Sequence, residues 1–156
     1  MTVLVPTAAR MRDLAAGLAT ACCAGDLIVL IGDLGAGKTT FVQGLGRGLG
    51  VTEAVTSPTF VISRVHEAAG GVDLVHVDAY RLGSAVDLDD LDLDATLADC
   101  VTVVEWGEGK VEYLSPDRLT VRIDRSDDER DEIRRVTFTG HGDRWPALAL
   151  ADLESG

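Results

Sequence analysis

The feature that most constrains this chain is a glycine-rich loop that follows a short apolar run ending at Ile31. The loop reads Gly32-Asp33-Leu34-Gly35-Ala36-Gly37-Lys38-Thr39-Thr40 and fits G-x-x-x-x-G-K-[ST] at every fixed position. Glycines let the backbone take positive φ values and turn several N–H groups toward one point, where they can cradle phosphates. The pattern therefore predicts a nucleotide-phosphate site formed by residues 32–40.

The side chains and surroundings of the loop support this prediction. Lys38 supplies an ammonium group for the β and γ phosphates, and Thr39 offers a hydroxyl to Mg²⁺. The motif requires a buried strand before it and a helix after it, and residues 27–31 form a β-branched apolar run. A helical stripe follows the loop at Phe41, Val42, Leu45 and Leu49.

Length and charge limit the possible functions. The chain has 156 residues, which predicts one domain spanning residues 1–156 with a single core. Its net charge of −12 opposes direct binding to DNA or RNA phosphates. If nucleic acid matters to the function, we expect another subunit to hold it.

Cysteine spacing and hydropathy indicate the expected cellular location of the protein. Cys22, Cys23 and Cys100 form no C-x-x-C pair, so the sequence predicts neither a zinc site nor a redox site. The N-terminus does not resemble a secretory signal, and no apolar stretch reaches membrane-spanning length. We expect a cytoplasmic protein that does not bind a membrane.

The segment before the loop predicts an amphipathic helix that starts after Pro6-Thr7 and ends at Gly25-Asp26. Its apolar face consists of Met11, Leu14, Ala15, Leu18 and Cys22. Core packing is the favoured role of this face, and contact of one turn with a nucleotide base is the alternative. The helix after the loop contains Gly44, Gly46 and Gly48, each of which costs roughly 1 kcal/mol relative to alanine.

A hairpin is predicted after this second helix. Residues 60–67 alternate, Gly70-Gly71 forms a turn, and residues 72–77 form the second strand. Ser57 and Thr59 precede the hairpin. They form either a plain polar loop or a segment that senses the γ-phosphate.

Two carboxylates follow predicted strands. Asp78 ends the run Leu74-Val75-His76-Val77, which is the expected position of a Walker B acid that holds Mg²⁺ directly or through water. Glu105 follows a buried strand over residues 101–104, at the sheet edge where ligands bind in open α/β folds. It is either a group near the metal or the attacking water, or a rim carboxylate without a role. His76 is interpreted as packed and hydrogen-bonded.

The remaining segments carry no catalytic constellation. Residues 87–99 predict a helix with a solvated acidic face, and Ala95 and Val101 exclude a calcium loop there. Residues 119–124 and 133–139 predict an antiparallel pair, and residues 145–153 a closing helix.

Together these motifs resemble the bacterial TsaE proteins, also called YjeE, which are small ATPases needed to make threonylcarbamoyladenosine in tRNA. The resemblance covers about residues 14–108 and rests on four ordered motifs: the loop at 32–40, Ser57-Pro58-Thr59-Phe60, His76-Val77-Asp78-Ala79-Tyr80-Arg81-Leu82 and Val104-Glu105-Trp106. The first helix departs from the Thr-x-x-Leu-Gly pattern of many relatives and has Met11-Arg12-Asp13-Leu14-Ala15. No base contact is therefore inferred from that helix.

The resemblance implies specific roles. It implies that Lys38 and the loop bind ATP, that Thr39 and Glu105 bind Mg²⁺, and that Asp78 is the Walker B acid. Ser57 to Thr59 become a switch segment. Family members act with the TsaB and TsaD pair, which transfers threonylcarbamoyl to the adenosine beside the anticodon, so tRNA is met only through that complex. The ATPase resets the complex between cycles.

Three other functions are alternatives for a chain with this loop. A small-molecule kinase could use the same loop, but the chain leaves no obvious acceptor domain. A GTP switch would need an N-K-x-D motif, and the chain contains no asparagine. Nucleotide binding could also serve as an assembly signal without meaningful turnover. No arginine finger is evident, so we expect slow hydrolysis unless partners complete the site.

The fold that follows is a single α/β domain of the P-loop NTPase type, with helices flanking a mixed sheet. The strands next to the nucleotide are expected to be parallel, and the hairpin and C-terminal pair antiparallel.

Overall fold

The computed structural model describes residues 1–56, 63–80, 82, 92–126 and 132–145. Its strands are β1 (Thr2–Val5), β2 (Leu27–Ile31), β3 (Ser63–His66), β4 (Leu74–Asp78), β5 (Val101–Glu105), β6 (Arg118–Arg125) and β7 (Arg134–His141). Its helices are α1 (Ala8–Ala19), α2 (Lys38–Leu49) and α3 (Leu93–Leu97). No helix in these ranges is long and apolar enough to cross a membrane.

The strands form one mixed sheet in the order β1-β7-β6-β2-β5-β4-β3. The central neighbours β6-β2-β5-β4 are parallel, and β3, β7 and β1 are added antiparallel. The mixed α/β sheet, the hairpin and the C-terminal antiparallel pair are therefore confirmed. β1 was not predicted: only Val5 of its four residues is buried, so it shows no clear apolar alternation.

The centre of the sheet is covered on both faces, which explains why its strands are continuous apolar runs. Ile28 and Leu30 pack in one cluster with α1 and α2. Leu27 and Val29, which alternate with them along β2, pack in a second cluster on the opposite face with Val104. The core therefore lies on both sides of β2, and the loop that follows this strand starts from a rigid base.

Helix α1 begins where the sequence predicted and ends earlier. The Thr7 hydroxyl accepts a hydrogen bond from the Arg10 N–H at 3.1 Å, which caps the N-terminus. The predicted end at Gly25-Asp26 is wrong, because the helix stops at Ala19 and the Thr20 hydroxyl donates to the Gly17 carbonyl at 2.7 Å. Cys22 therefore lies in the following turn.

Two other predicted helices are covered only in part. Of residues 87–99, the structure shows α3 at Leu93–Leu97, and residues 87–91 lie outside the described ranges. Trp145 is in a bend and not in a helix, and residues 146–153 of the proposed closing helix also lie outside.

The segment after β7 packs against the turn between α1 and β2. The Arg144 guanidinium donates to the buried Asp26 carboxylate at 2.8 Å and to the Ala21 carbonyl at 2.6 Å. The same guanidinium lies 4.5 Å from the ring centre of the buried Trp145. The ion pair between Arg144 and Asp26 connects the segment after β7 to the start of β2. No local sequence pattern predicts it, because the two residues are far apart in the chain.

The glycines of α2 have a packing role. A Cβ added to Gly44 would lie 2.3 Å from the Arg12 carbonyl oxygen, and one added to Gly48 would lie 2.5 Å from the Ala19 Cβ. These glycines lower the intrinsic helix propensity of α2, but they let its backbone approach α1 closely. The close contact of the two helices is therefore the reason for the unusual composition of α2.

We predict that Gly44→Ala lowers the free energy of unfolding, because the new methyl group meets the backbone of α1, and overpacking of this kind costs about 1–3 kcal/mol. This loss should exceed the gain of roughly 1 kcal/mol in helix propensity. Urea denaturation measures it, with Gly46→Ala as the control, since the nearest obstacle to its Cβ is a Val55 methyl group at 2.9 Å. Equal or higher stability of Gly44→Ala would contradict the prediction.

Candidate functional site

The glycine-rich loop joins β2 to α2 with a strongly turned backbone. Gly35 and Gly37 have φ angles of 75° and 111°, a region that favours glycine. A Cβ on Gly32 would lie 2.6 Å from the Ile123 carbonyl oxygen, so the loop passes directly over β6. Ala36 is fully buried and anchors the loop, whereas Asp33 and Leu34 are exposed. Gly35 and Gly37 therefore have the positive φ angles that the sequence motif predicts for glycines in this loop.

Lys38 is the first residue of α2, and its side chain folds back into the loop. The ammonium donates to the carbonyl oxygens of Gly32 at 2.8 Å and Asp33 at 2.9 Å, and it lies 4.4 Å from the ring centre of Trp106. The side chain is only 6% exposed. Burial lowers the pKa of Lys38, and the nearby carboxylates of Glu105, Asp78 and Asp33 oppose this shift.

Two carboxylates reach this loop because three parallel strands are in register. Glu105 lies opposite Leu30 of β2 and opposite Asp78 of β4. Beyond the ladder, the Trp106 N–H donates to the Leu30 carbonyl at 3.3 Å and the Ala79 N–H donates to the Glu105 carbonyl at 2.9 Å. The structure thus brings together the loop, Asp78 and Glu105, as the sequence predicted.

The two carboxylates have different environments. Asp78 is half-buried and accepts a hydrogen bond from the Tyr80 N–H at 2.9 Å. Glu105 is 3% exposed, and its Oε1 pairs with His76 Nε2 at 2.8 Å. Glu105 is therefore not exposed at the rim, because it is the last residue of a fully buried strand. Its role near a metal or the attacking water stays a prediction. His76 is packed and hydrogen-bonded, as predicted.

Trp106 and Tyr80 complete the edge, and sequence reasoning assigned them no role. Trp106 has a φ angle of 59°, which is unusual for a residue other than glycine. Its ring lies against Lys38 on one side and packs 5.0 Å from the Tyr80 ring. A Cβ on Gly107 would lie 2.9 Å from a Val104 methyl group, which explains the small residue after the tryptophan.

Cavities lie on both sides of the loop. One of about 200 Å³ is lined by the start of α1, including Thr7 and Met11, and by the loop itself, Thr40 and Arg134. Another of about 550 Å³ is lined by Gly32, Asp33, Trp106 and Arg122. The guanidinium of Arg122 pairs with the exposed Glu108 at 3.1 Å. An arginine therefore lies at the same sheet edge, although sequence reasoning found none.

The oxygen donors at this edge suit Mg²⁺ bound together with a nucleotide. Thr39 follows Lys38 in the first turn of α2, next to the edge that carries Asp78 and Glu105. Within the described ranges no group of three or more His, Cys, Asp or Glu side chains could hold a metal by itself. Mg²⁺ is usually bound by one or two carboxylates together with substrate phosphates, so this donor set fits it. The predicted switch residues 57–59 lie outside the described ranges.

The fold and the loop thus define an α/β protein with a phosphate-loop sequence between a central parallel strand and a helix. The family model for "Threonylcarbamoyl adenosine biosynthesis protein TsaE" matches residues 5–135. The chain belongs to the TsaE family. Members of this family take part in the biosynthesis of threonylcarbamoyladenosine in tRNA.

Individual relatives agree with this assignment. A tRNA threonylcarbamoyladenosine biosynthesis protein TsaE from Streptomyces coelicolor is 62% identical over 146 residues, covering 92% of this chain and 97% of the relative. The protein of that name from Bacillus subtilis is 42% identical over 125 residues, covering 80% of this chain and 75% of the relative. A crystal structure of Bacillus subtilis YdiB superposes with a TM-score of 0.78 at 32% identity, covering 99% of this chain and 94% of that one.

We predict that ATP affinity falls as the pH rises toward the ordinary lysine pKa, because burial lowers the pKa of Lys38 and its ammonium loses the proton at a lower pH than an exposed lysine would. The ammonium form binds phosphates, so the loss is on the alkaline side. Calorimetry at several pH values measures the slope. Lys38→Arg should bind ATP more weakly but with a flatter pH profile, since a guanidinium keeps its charge. If ATP affinity fell with pH equally in the wild-type chain and in Lys38→Arg, Lys38 would not be the group responsible for the pH dependence.

Proposed function

We propose that this chain is a Mg²⁺-dependent ATPase that acts with TsaB and TsaD in the modification of tRNA next to the anticodon. The observation that carries the proposal is the meeting of Lys38 and the glycine-rich loop with Asp78 and Glu105 at one sheet edge. Since the target of the pathway is tRNA, we expect the protein to act in the cytoplasm.

The loop of residues 32–40 would hold the phosphates of ATP. The open turns at Gly35 and Gly37 leave space for oxygen atoms close to the backbone, and a Cβ added at Gly35 would meet nothing within 4 Å. The Lys38 ammonium now donates to two loop carbonyls. It would transfer these hydrogen bonds to phosphate oxygens, which form stronger charge-assisted bonds with an ammonium.

Thr39, Asp78 and Glu105 would hold Mg²⁺ and orient the attacking water. When bound, the ion neutralises charge on the phosphates and polarises them toward attack. Thr39 follows Lys38 in the first turn of α2, so its hydroxyl would be near phosphates held at the N-terminus of this helix. The buried Glu105 is shielded from bulk solvent, which favours a defined orientation of its free carboxylate oxygen.

The nucleoside would occupy the cavity of about 200 Å³ beside the start of α1. This cavity adjoins Gly35, Gly37 and Thr40, so a base placed there is continuous with phosphates in the loop. Met11 offers it an apolar wall and Arg134 a polar one. We therefore propose that α1 contacts the base, although its sequence does not have the Thr-x-x-Leu-Gly pattern of many relatives.

TsaB and TsaD would complete the site. Arg122 lines the larger cavity at this edge, but its guanidinium pairs with the exposed Glu108 at 3.1 Å, and we do not assign it the role of an arginine finger. We therefore expect slow hydrolysis by the isolated chain. The net charge of −12 also fits a subunit that meets tRNA only through its partners.

A small-molecule kinase is the second candidate, and the cavity of about 550 Å³ beside the loop is the observation that favours it. An acceptor molecule could enter there. Membership of the TsaE family favours the accessory ATPase instead. Release of free phosphate without any added acceptor distinguishes the two, and binding without turnover would favour the third possibility, a nucleotide-dependent assembly signal.

We predict that Lys38→Ala weakens ATP binding at least about 100-fold, because it removes the charge-assisted bonds from the loop to the phosphates. Isothermal calorimetry measures the affinity. Lys110→Ala is the matched control: Lys110 is the other lysine of the chain, and its ammonium donates to the Ala79 carbonyl at 2.8 Å. Undiminished affinity in Lys38→Ala would refute the proposed phosphate site.

Glu105→Gln should retain ATP binding and lose most of the Mg²⁺-dependent turnover, on the order of 100-fold, because the amide is a poorer metal ligand and base than the carboxylate. Phosphate release is measured for the chain alone and with TsaB, TsaD and tRNA. Wild-type turnover should rise only with the partners present. Glu108→Gln is the control, because it changes an exposed carboxylate at the same edge. Its turnover should stay within about twofold of the wild-type value.

Turnover that does not respond to TsaB and TsaD would argue against the accessory role. Full activity of Glu105→Gln would return this residue to a structural role only.

A further inference from the structure

His76 is a buried imidazole behind the proposed metal edge. It lies two residues before Asp78 on β4 and is 0% exposed. Its Nε2 donates to Glu105 Oε1 at 2.8 Å, and its Nδ1 is buried without a hydrogen-bond partner among the residues that the structure describes. The ring therefore makes one polar contact in this part of the chain, and that contact is with Glu105.

The two carboxylate oxygens of Glu105 have different environments because of this contact. Oε1 is occupied by the imidazole, while Oε2 has no hydrogen bond to another described residue. In the β4–β5 ladder His76 lies opposite Val103, two positions behind Glu105, so the ring approaches the carboxylate from the interior of the sheet. Oε2 is then the oxygen available to a ligand at the sheet edge.

Without the imidazole, Glu105 would have another attractive partner. The carboxylate is close enough to Lys38 to oppose the lowering of its pKa. A buried carboxylate that loses its hydrogen bond must find another, because an unpaired buried charge is costly. Turning toward the Lys38 ammonium would satisfy Glu105 and at the same time take it away from the metal position.

We propose that His76 is a positioning residue that holds Glu105 Oε1 and thereby presents Oε2 to Mg²⁺ or its bound water. This inference rests on the proposed function, since it assumes that Glu105 faces a metal–nucleotide complex. Hydrogen bonds from outer groups to a ligating carboxylate fix its orientation, and their loss typically costs about 10–100-fold in metal affinity or activity.

A second histidine provides a matched control for a purely structural role. His66 on β3 is also 0% exposed, and its Nδ1 pairs with Glu53 Oε1 at 2.7 Å. Its other ring nitrogen is likewise buried and unpartnered in the described ranges. The Glu53 side chain is 56% exposed and lies outside the group of residues assigned to the metal edge.

The test compares ATP affinity in Mg²⁺ with ATP affinity in EDTA for the full chain, by calorimetry. The ratio of the two dissociation constants reports the contribution of the metal. His76→Leu should reduce this ratio about tenfold or more while affinity in EDTA stays within about twofold. His76→Gln should recover most of the ratio, because its amide N–H can reach the same oxygen. His66→Leu should lower stability in urea and leave the ratio unchanged.

A double-mutant cycle makes the result specific to Glu105. In a Glu105→Gln background, His76→Leu should change the ratio by less than about twofold, because the group that it positions has been altered. The proposal is overturned if the full loss persists in that background, or if His76→Leu retains the wild-type ratio. A wild-type chain that gains no affinity from Mg²⁺ would instead refute the proposed function itself.

Discussion

The register of three parallel strands determines which residues meet at the sheet edge where the candidate site lies. Leu30, Glu105 and Asp78 are neighbours across β2, β5 and β4, so each strand delivers its end to the same edge. Parallel pairing brings carboxyl ends together, and here it joins a phosphate-loop sequence to two acids that are far away in the chain. A shift of one residue would turn Glu105 to the opposite face. The continuous apolar runs of the strands oppose such a shift, because both faces are buried.

Charge balance explains how this edge tolerates buried ionic groups. Lys38 is 6% exposed and Glu105 is 3% exposed, which would be costly for isolated charges. Two loop carbonyls and the Trp106 ring surround the ammonium, and His76 contacts the carboxylate. The groups that would bind phosphate and metal therefore contact other protein atoms in this structure. A bound nucleotide and metal would replace these contacts with their own. The two charged groups would then have polar partners both with and without a ligand, which reduces the cost of burying them.

The sequence predicted the features that depend on local patterns. The loop at residues 32–40, the strand before it and the position of Asp78 follow from residue types at fixed spacing. It missed β1, which is short and mostly exposed, and it missed the contact between Glu105 and His76, which depends on the register of two strands. The glycines of α2 were interpreted as a local weakness, but their cause is the backbone of a different helix, which spacing within α2 cannot reveal.

The contact between α1 and α2 also links the two halves of the proposed nucleotide site. Gly44 lets the backbones of these helices approach closely, and α2 begins at Lys38, directly after the glycine-rich loop. The other helix begins beside the cavity assigned to the nucleoside, where Thr7 caps it and Met11 lines the wall. Phosphate and base would thus be held by the first turns of two helices whose separation is set by glycine. Under the proposed function, Mg²⁺ would be held by one or two carboxylates together with phosphates that this same helix pair places. Helix packing in the core would therefore set the geometry for metal binding at the sheet edge.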